Sequence, residues 1–364
     1  MVLTYWQPRG HLIVNIFRAL ICIALLAGLT VGCGTTYDAW SFQRDVLAAD
    51  ALADKGDYEG AFEAFTDLSA RATTQLDLQH LQVRSAYMLE QMGRAEDALV
   101  AYARIYTRPT HPYDDNAGRA IYRAGRVYRD LLDRPDTAID VWLNAVRLFP
   151  DSMFATDSLN QVERHYKEDE RYHELLDIYA SLFVELQERD IAHALVYKSA
   201  VILDDDLDRC IEAMELYALI IHRFQRSGFI DNAIWRTGLC YRRHDLRDEE
   251  YRLLADFVQG REVSILLGDY DYEQYTAAYL RLAEMREEDG DLRGAIRYLR
   301  TFQKTFPLSL LADDVQWEII ELWGELGEFK EMHRYADELR RLWPESRYVS
   351  RLDALIEGAE RSHD

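Results

Sequence analysis

The chain is poor in proline, with 7 in 364 residues, in cysteine, with 4, and in positive charge, with 42 basic against 64 acidic residues. So few prolines leave helices uninterrupted, and a hydrophobic share rich in Leu, Ala and Tyr supplies small and aromatic side chains for helix contacts, which points to an all-α fold. A net charge of −22 disfavours nucleic acid as a partner, because a generic binder of phosphate backbones is basic. Catalytic signatures are missing as well: there is no Gly-x-Ser-x-Gly, no His-Glu-x-x-His and no phosphate loop, and the ten histidines are scattered. The apolar run Ala19 to Leu29 falls short of a bilayer span.

What is present is a repeated phrase. It reads Gly290-Asp291-Leu292-Arg293-Gly294-Ala295 followed by Phe306-Pro307-Leu308-Ser309, and again Gly327-Glu328-Phe329-Lys330-Glu331-Met332 followed by Trp343-Pro344-Glu345-Ser346. The glycine ends one helix by taking φ > 0, an apolar residue docks the turn, a small residue lets the next helix pack closely, and proline stops that helix. Aligning on the residue that follows each turn gives Ala61, Ala98, Ala138, Leu175, Ala213, Tyr251, Ala295 and Met332, spaced by 37, 40, 37, 38, 38, 44 and 37 residues. Pro150, Pro307 and Pro344 each follow their anchor by 12. A unit of this size cannot bury its apolar face alone, so the spacing predicts an α-solenoid of about eight helical hairpins, with no size ceiling of the kind a globule has. Tyr348 to Ile356, with Val349, Leu352, Leu355 and Ile356 at helical spacing, predicts a C-terminal capping helix.

The spacing lies a few residues above the 34 of a tetratricopeptide repeat. With Phe149-Pro150-Asp151-Ser152 and the two endings above, the chain resembles the tetratricopeptide-repeat (TPR) lipoproteins and periplasmic proteins of the Gram-negative envelope, the group that includes BamD and the Tol-Pal-associated coordinator, over about Val46 to Arg347. Residues 1–32 carry a short cationic front, Arg9 and Arg18, and then the apolar run, the pattern of a cleaved signal peptide. Leu29-Thr30-Val31-Gly32-Cys33 resembles a lipobox, which implies that Cys33 is lipidated and that acyl chains hold the protein to a membrane. A secreted protein and an uncleaved anchor are the alternatives. Gly34, where an inner-membrane retention signal has Asp, implies the periplasmic face of the outer membrane. The organisation expected is a signal peptide over 1–32, a lipidated N-terminus and short linker over 33–45, and the TPR-like solenoid with its cap over 46–364. Loss of the leader leaves 40 basic against 64 acidic residues, a net −24.

Carried onto this chain, the family's groove positions imply a partner-binding set of Arg119, Tyr122, Arg126, Arg129, Arg164, Lys167, Trp235, Arg242 and Arg243. The last two repeats offer Glu284, Glu287, Glu288, Glu321 and Glu325 instead. Cations also collect at helix C-termini for electrostatic reasons alone, so the basic set has an ordinary explanation too. Asp204, Asp206, Asp208 and Glu215 fit positions of a calcium loop, but Arg209 stands where that loop needs Gly, so no metal is expected there. Arg242-Arg243-His244-Asp245 reads as a solvated helix end, and Trp235, Trp317 and Trp323 as hairpin core. Cys210 and Cys240 fall level across adjacent antiparallel helices, which permits a disulfide in an oxidising compartment or two buried thiols otherwise.

These readings converge on a non-enzymatic scaffold with no cofactor and no catalytic residue. It would be anchored to the outer membrane through its N-terminal lipid and would hold a periplasmic or outer-membrane protein or peptide partner in envelope or outer-membrane protein assembly. A scaffold for polysaccharide export, motility or peptidoglycan coordination is the alternative, and a helical-repeat enzyme acting on glycan with a carboxylate pair is a remote one. The stretch Gln259 to Asp269, containing Ile265, Leu266 and Leu267, reads as an insertion that either packs on its own repeat or docks a partner.

Overall fold

The computed structural model describes residues 40–109, 114–259 and 273–363. Cys33, the leader and the insertion from Gly260 to Asp269 lie outside the described residues. Among the described residues the secondary structure is helical throughout, and no helix is long and apolar enough to cross a membrane. The first helix, α1, covers 40–54, so residues 40–45, expected as linker, are helical instead.

The chain divides into two compact units, up to Asp169 and from Glu170. The first contains α1, α2 (Tyr58–Arg71), α3 (Gln75–Gln91), α4 (Ala95–Tyr106), α5 (Asp115–Asp130), α6 (Pro135–Leu148) and α7 (Met153–Glu168). The second contains α8 (Tyr172–Leu186), α9 (Ile191–Val201), α10 (Cys210–Arg223), α11 (Ile230–Arg243), α12 (Arg247–Gln259), α13 (Glu273–Glu288), α14 (Leu292–Thr305), α15 (Ala312–Glu325), α16 (Phe329–Leu342) and α17 (Leu352–His363). Within each unit, successive helices pack as hairpins and each hairpin packs on the next, so each is an α-solenoid segment of TPR-like hairpins. The first helices of successive hairpins also touch, α3 on α5, α5 on α7 and α11 on α13. The cap α17 packs on α15 and α16 and runs beyond the expected Ile356 to His363.

One backbone device recurs at the turns of the described residues. At Gly56, Gly93, Asp133, Glu170, Asp208, Asp245, Gly290 and Gly327 the chain takes positive φ, between 52° and 80°. Four of these are not glycine, and three of the four are Asp, whose short side chain tolerates the left-handed region. Five residues further on, the amide of the anchor donates to the carbonyl of the residue after the turn, as in Ala61 to Asp57, Ala138 to Arg134 and Ala295 to Asp291. Anchors Ala61, Ala98, Ala138, Leu175, Ala213, Ala295 and Met332 are fully buried. The sixth is a correction. The residue whose amide donates to Leu246 is Glu250, buried at 1% exposure, and Tyr251 is one place out of register and only half-buried.

Four residues past the anchor, Phe65, Tyr102, Trp142, Tyr179 and Tyr217 form a run of aromatic positions, all among the largest fully buried side chains of the described residues. Trp142 donates to the Tyr122 carbonyl at 3.0 Å and lies so close over Gly125 that a Cβ there would strike the indole. The endings work as caps. Ser152 accepts from the Phe154 amide and donates to Asp115, and Ser346 accepts from the Tyr348 amide and donates to Asp313, each tying a new helix to the start of an earlier one. Ser227 after Phe224 caps in the same way without a proline.

The structure joins Cys210, the first residue of α10, to Cys240 of α11 by a disulfide, with Cα atoms 5.8 Å apart. It therefore links the second helix of one hairpin to the first of the next.

The turn account predicts opposite signs at two glycines. Gly290→Ala forces an alanine to φ near 76° and is expected to cost about 1–2 kcal/mol in urea unfolding. Gly358→Ala, inside α17 with nothing within 4 Å of the added methyl, is expected to stabilise by up to about 1 kcal/mol.

Candidate functional site

The sequence-predicted basic residues separate into two groups, one in each unit. On α5, Arg119, Tyr122, Arg126 and Arg129 recur at three- and four-residue intervals and so share a face. That face is already engaged. Arg119 stacks over Phe154 at 5.1 Å, Tyr122 lies 5.9 Å from the same ring, and Arg129 sits over Trp142 at 5.3 Å while donating to Asp130 at 2.6 Å. Arg126 pairs with Asp130 at 3.3 Å, one turn away. Burial pulls the Asp130 carboxyl upward, but the Arg129 and Arg126 guanidiniums outweigh it and hold it below the usual range. On α7, Lys167 pairs with Glu163 at 3.3 Å and Arg164 donates to Gln161 at 3.4 Å.

In the second unit the candidates on α11 are tied to buried acids. Arg242 pairs with Glu250 at 2.8 Å, and Arg281 from α13 donates to both oxygens of the same carboxylate at 2.9 and 3.1 Å. An acid can thus occupy an anchor position that elsewhere takes Ala, Leu or Met, because two guanidiniums neutralise it. Arg243 pairs with Asp204, which is 3% exposed and also accepts from Arg236 at 3.1 Å and from the Tyr217 hydroxyl at 3.1 Å. A π-turn over Ile202–Asp206 ends α9 and brings Asp204 and Asp205 together onto Arg236. Asp204 is therefore an ion-pair hub. Of the aromatic candidates, Trp317 and Trp323 are buried, whereas Trp235 is half-buried and lines a hollow of about 390 Å³ with Arg242, Arg281, Glu284, Glu287 and Glu318.

In the last repeats Glu284 pairs with Arg281 at 2.7 Å and Glu288 with Arg281 and Arg247, but the acids nearer the cap have no such partner. Glu287 and Glu318 also border a second cavity, of about 680 Å³, completed by Glu321, Glu325, Leu322, Met332 and the α17 residues Ala354, Leu355 and Ala359. None of Glu287, Glu318, Glu321 and Glu325 forms an ion pair among the described residues. Burial, and then the neighbouring Glu287 charge, push Glu318 up to about 7, while burial raises Glu287 and Glu321 as well. Sequence spacing placed Glu287, Glu321 and Glu325 among the acids of this face but missed Glu318. Its position between Trp317 and Ile319 reads as core, and only the approach of α13 reveals it.

Residues 119–152 and 277–309 match the tetratricopeptide repeat family, and these segments span the α5–α6 and α13–α14 hairpins. No curated protein matches the chain. Among solved structures, the C-terminal part of a TPR repeat-containing protein from Cytophaga hutchinsonii is similar at 11% identity, covering 74% of this chain and 98% of that one with a TM-score of 0.43. A tetratricopeptide repeat protein from Parabacteroides merdae is similar at 10% identity over 77% and 99% of the two chains, with a TM-score of 0.31. PilW, a type IV pilus biogenesis factor, is similar at 13% identity over 77% and 99%, also at 0.31.

A carboxyl whose folded-state pKa is raised contributes stability that is complete below its unfolded value and is lost as pH rises through the folded one. The melting temperature is therefore expected to fall between pH 5 and pH 8 in part through Glu318. Glu318→Gln is near-isosteric and removes the titration, so it should flatten that fall and stabilise the protein at pH 8 by on the order of 2 kcal/mol. Thermal melts of both proteins across this range measure it.

Proposed function

We propose that the chain is a non-enzymatic scaffold that holds a protein or peptide partner, and that the partner enters the acid-lined cavity between α13, α15 and α17. The observation that supports this most is the contrast in charge satisfaction. Arg126, Arg129, Lys167, Arg242 and Arg243 already have carboxylate partners within the chain, whereas Glu287, Glu318, Glu321 and Glu325 have no cation within ion-pair distance among the described residues. A segment carrying Lys or Arg beside a small apolar side chain would match that wall of carboxylates together with Leu322, Met332 and Leu355. Capture by the clustered acids requires no chemical step.

We place the scaffold at the periplasmic face of the outer membrane, held by lipid on Cys33 after removal of residues 1–32. The support is the Leu29-Thr30-Val31-Gly32-Cys33 sequence with Gly34 after it. Envelope or outer-membrane protein assembly is the process most in keeping with that address.

Two measurements test the reading. Wild type should fractionate with outer membrane and Cys33→Ser should not; wholly soluble wild type contradicts the anchor. A photo-crosslinking residue at position 325 of the full-length protein should give a discrete adduct in cells, whose yield drops about tenfold with Glu321→Arg. An equal yield in that variant, or adducts formed only from position 164, would move the partner away from this cavity.

A further inference from the structure

The Sγ atoms of Cys210 and Cys240 and a ring nitrogen of His244 lie within 4.8 Å of one another. They come together for reasons of register. His244 follows Cys240 by four residues, one helical turn, at the end of α11, where its amide is still bonded to the Cys240 carbonyl at 3.2 Å. Cys210 opens α10, directly after the left-handed Asp208 and the turn residue Arg209. Both sulfurs are buried, at 4% and 0% exposure, and His244 is exposed, so the histidine stands at the mouth of a dry dithiol.

We propose that, once the disulfide is reduced, Cys210, Cys240 and His244 form a binding site for one borderline-soft metal ion of the Zn²⁺ class. Two thiolates and an imidazole are the ligand types such an ion prefers, at about 2.3 Å to sulfur and 2.0–2.1 Å to nitrogen, distances that side-chain rotation reaches from the present separation. The exposed side at His244 leaves the fourth position to water. A dithiol can supply the reduction. One of its thiolates attacks a sulfur of the disulfide and releases the other as thiolate, and its second thiol then closes the reductant's own disulfide, leaving both cysteines reduced. The ion displaces the thiol protons to solvent on binding. The consequence is structural: α10 and α11 remain bridged across the hairpin boundary in either redox state, by sulfur–sulfur in one and by sulfur–metal–sulfur in the other. The inference does not depend on the proposed partner or compartment.

Full-length protein reduced with a phosphine, freed of excess reductant and kept anaerobic, should bind one equivalent of Co²⁺ with a thiolate-to-cobalt charge-transfer band that Zn²⁺ bleaches. The oxidised protein should bind none. Cys210→Ser should abolish the band, and His244→Ala, an exposed substitution that leaves the fold intact by circular dichroism, should weaken Zn²⁺ at least about tenfold. No charge-transfer band in reduced wild type, or an unchanged Zn²⁺ affinity in His244→Ala, would overturn the site.

Discussion

The fold depends on one constraint, met eight times among the described residues: a residue in the left-handed region followed five places later by a buried anchor whose amide caps back to the turn. The turn reverses the chain within three or four residues, and the size of the buried anchor, Ala in five cases and Leu175, Glu250 or Met332 in the others, sets how closely the helix after the turn lies against the one before it. Everything above that level is periodic. The aromatic set from Phe65 to Tyr217 stands one turn beyond the anchor because that position faces the same interior, and Ser152, Ser227 and Ser346 start the next hairpin at a fixed distance from it. Stacking also brings first helices of neighbouring hairpins together, α3 with α5, α5 with α7 and α11 with α13, and the face they present carries polar chemistry.

On that face, charge decides which surface is free. Three buried acids, Glu250, Asp204 and Glu90, each recruit arginine from a neighbouring helix, the last through Arg123 at 3.1 Å. These networks consume the arginines of the middle repeats. The final repeats have the reverse balance, with carboxylates gathered around a cavity beside the cap and one of them held protonated near neutrality. A cationic partner segment would relieve the same burial and like-charge repulsion that now raise Glu318.

Much of the fold was legible because its determinants are local. Gly56, Gly93, Gly290 and Gly327 announce their turns, the three Pro-x-Ser endings fix the register, and seven anchors follow from spacing. The eighth did not, since an acid at an anchor makes sense only with Arg281, 31 residues away, and nearby Tyr251 offered a more apolar choice. The candidate site was less legible for a related reason. The basic stripe on α5 is visible in sequence, and so are its neutralisers: Asp130 one turn after Arg126, and on α7 Glu163 one turn before Lys167. Glu318 had no local signal, because its environment is built by α13 and is absent from its own helix pattern.

The central claim is that anchor size sets hairpin packing, and urea unfolding of Ala138→Leu beside Asp140→Leu tests it most directly. Ala138 is fully buried and Asp140 is exposed two residues along the same helix. The account predicts that the anchor substitution overpacks the hairpin and lowers stability by about 1–3 kcal/mol, with the neighbour within about 0.5 kcal/mol of wild type. Equal unfolding midpoints for Ala138→Leu and wild type would contradict it.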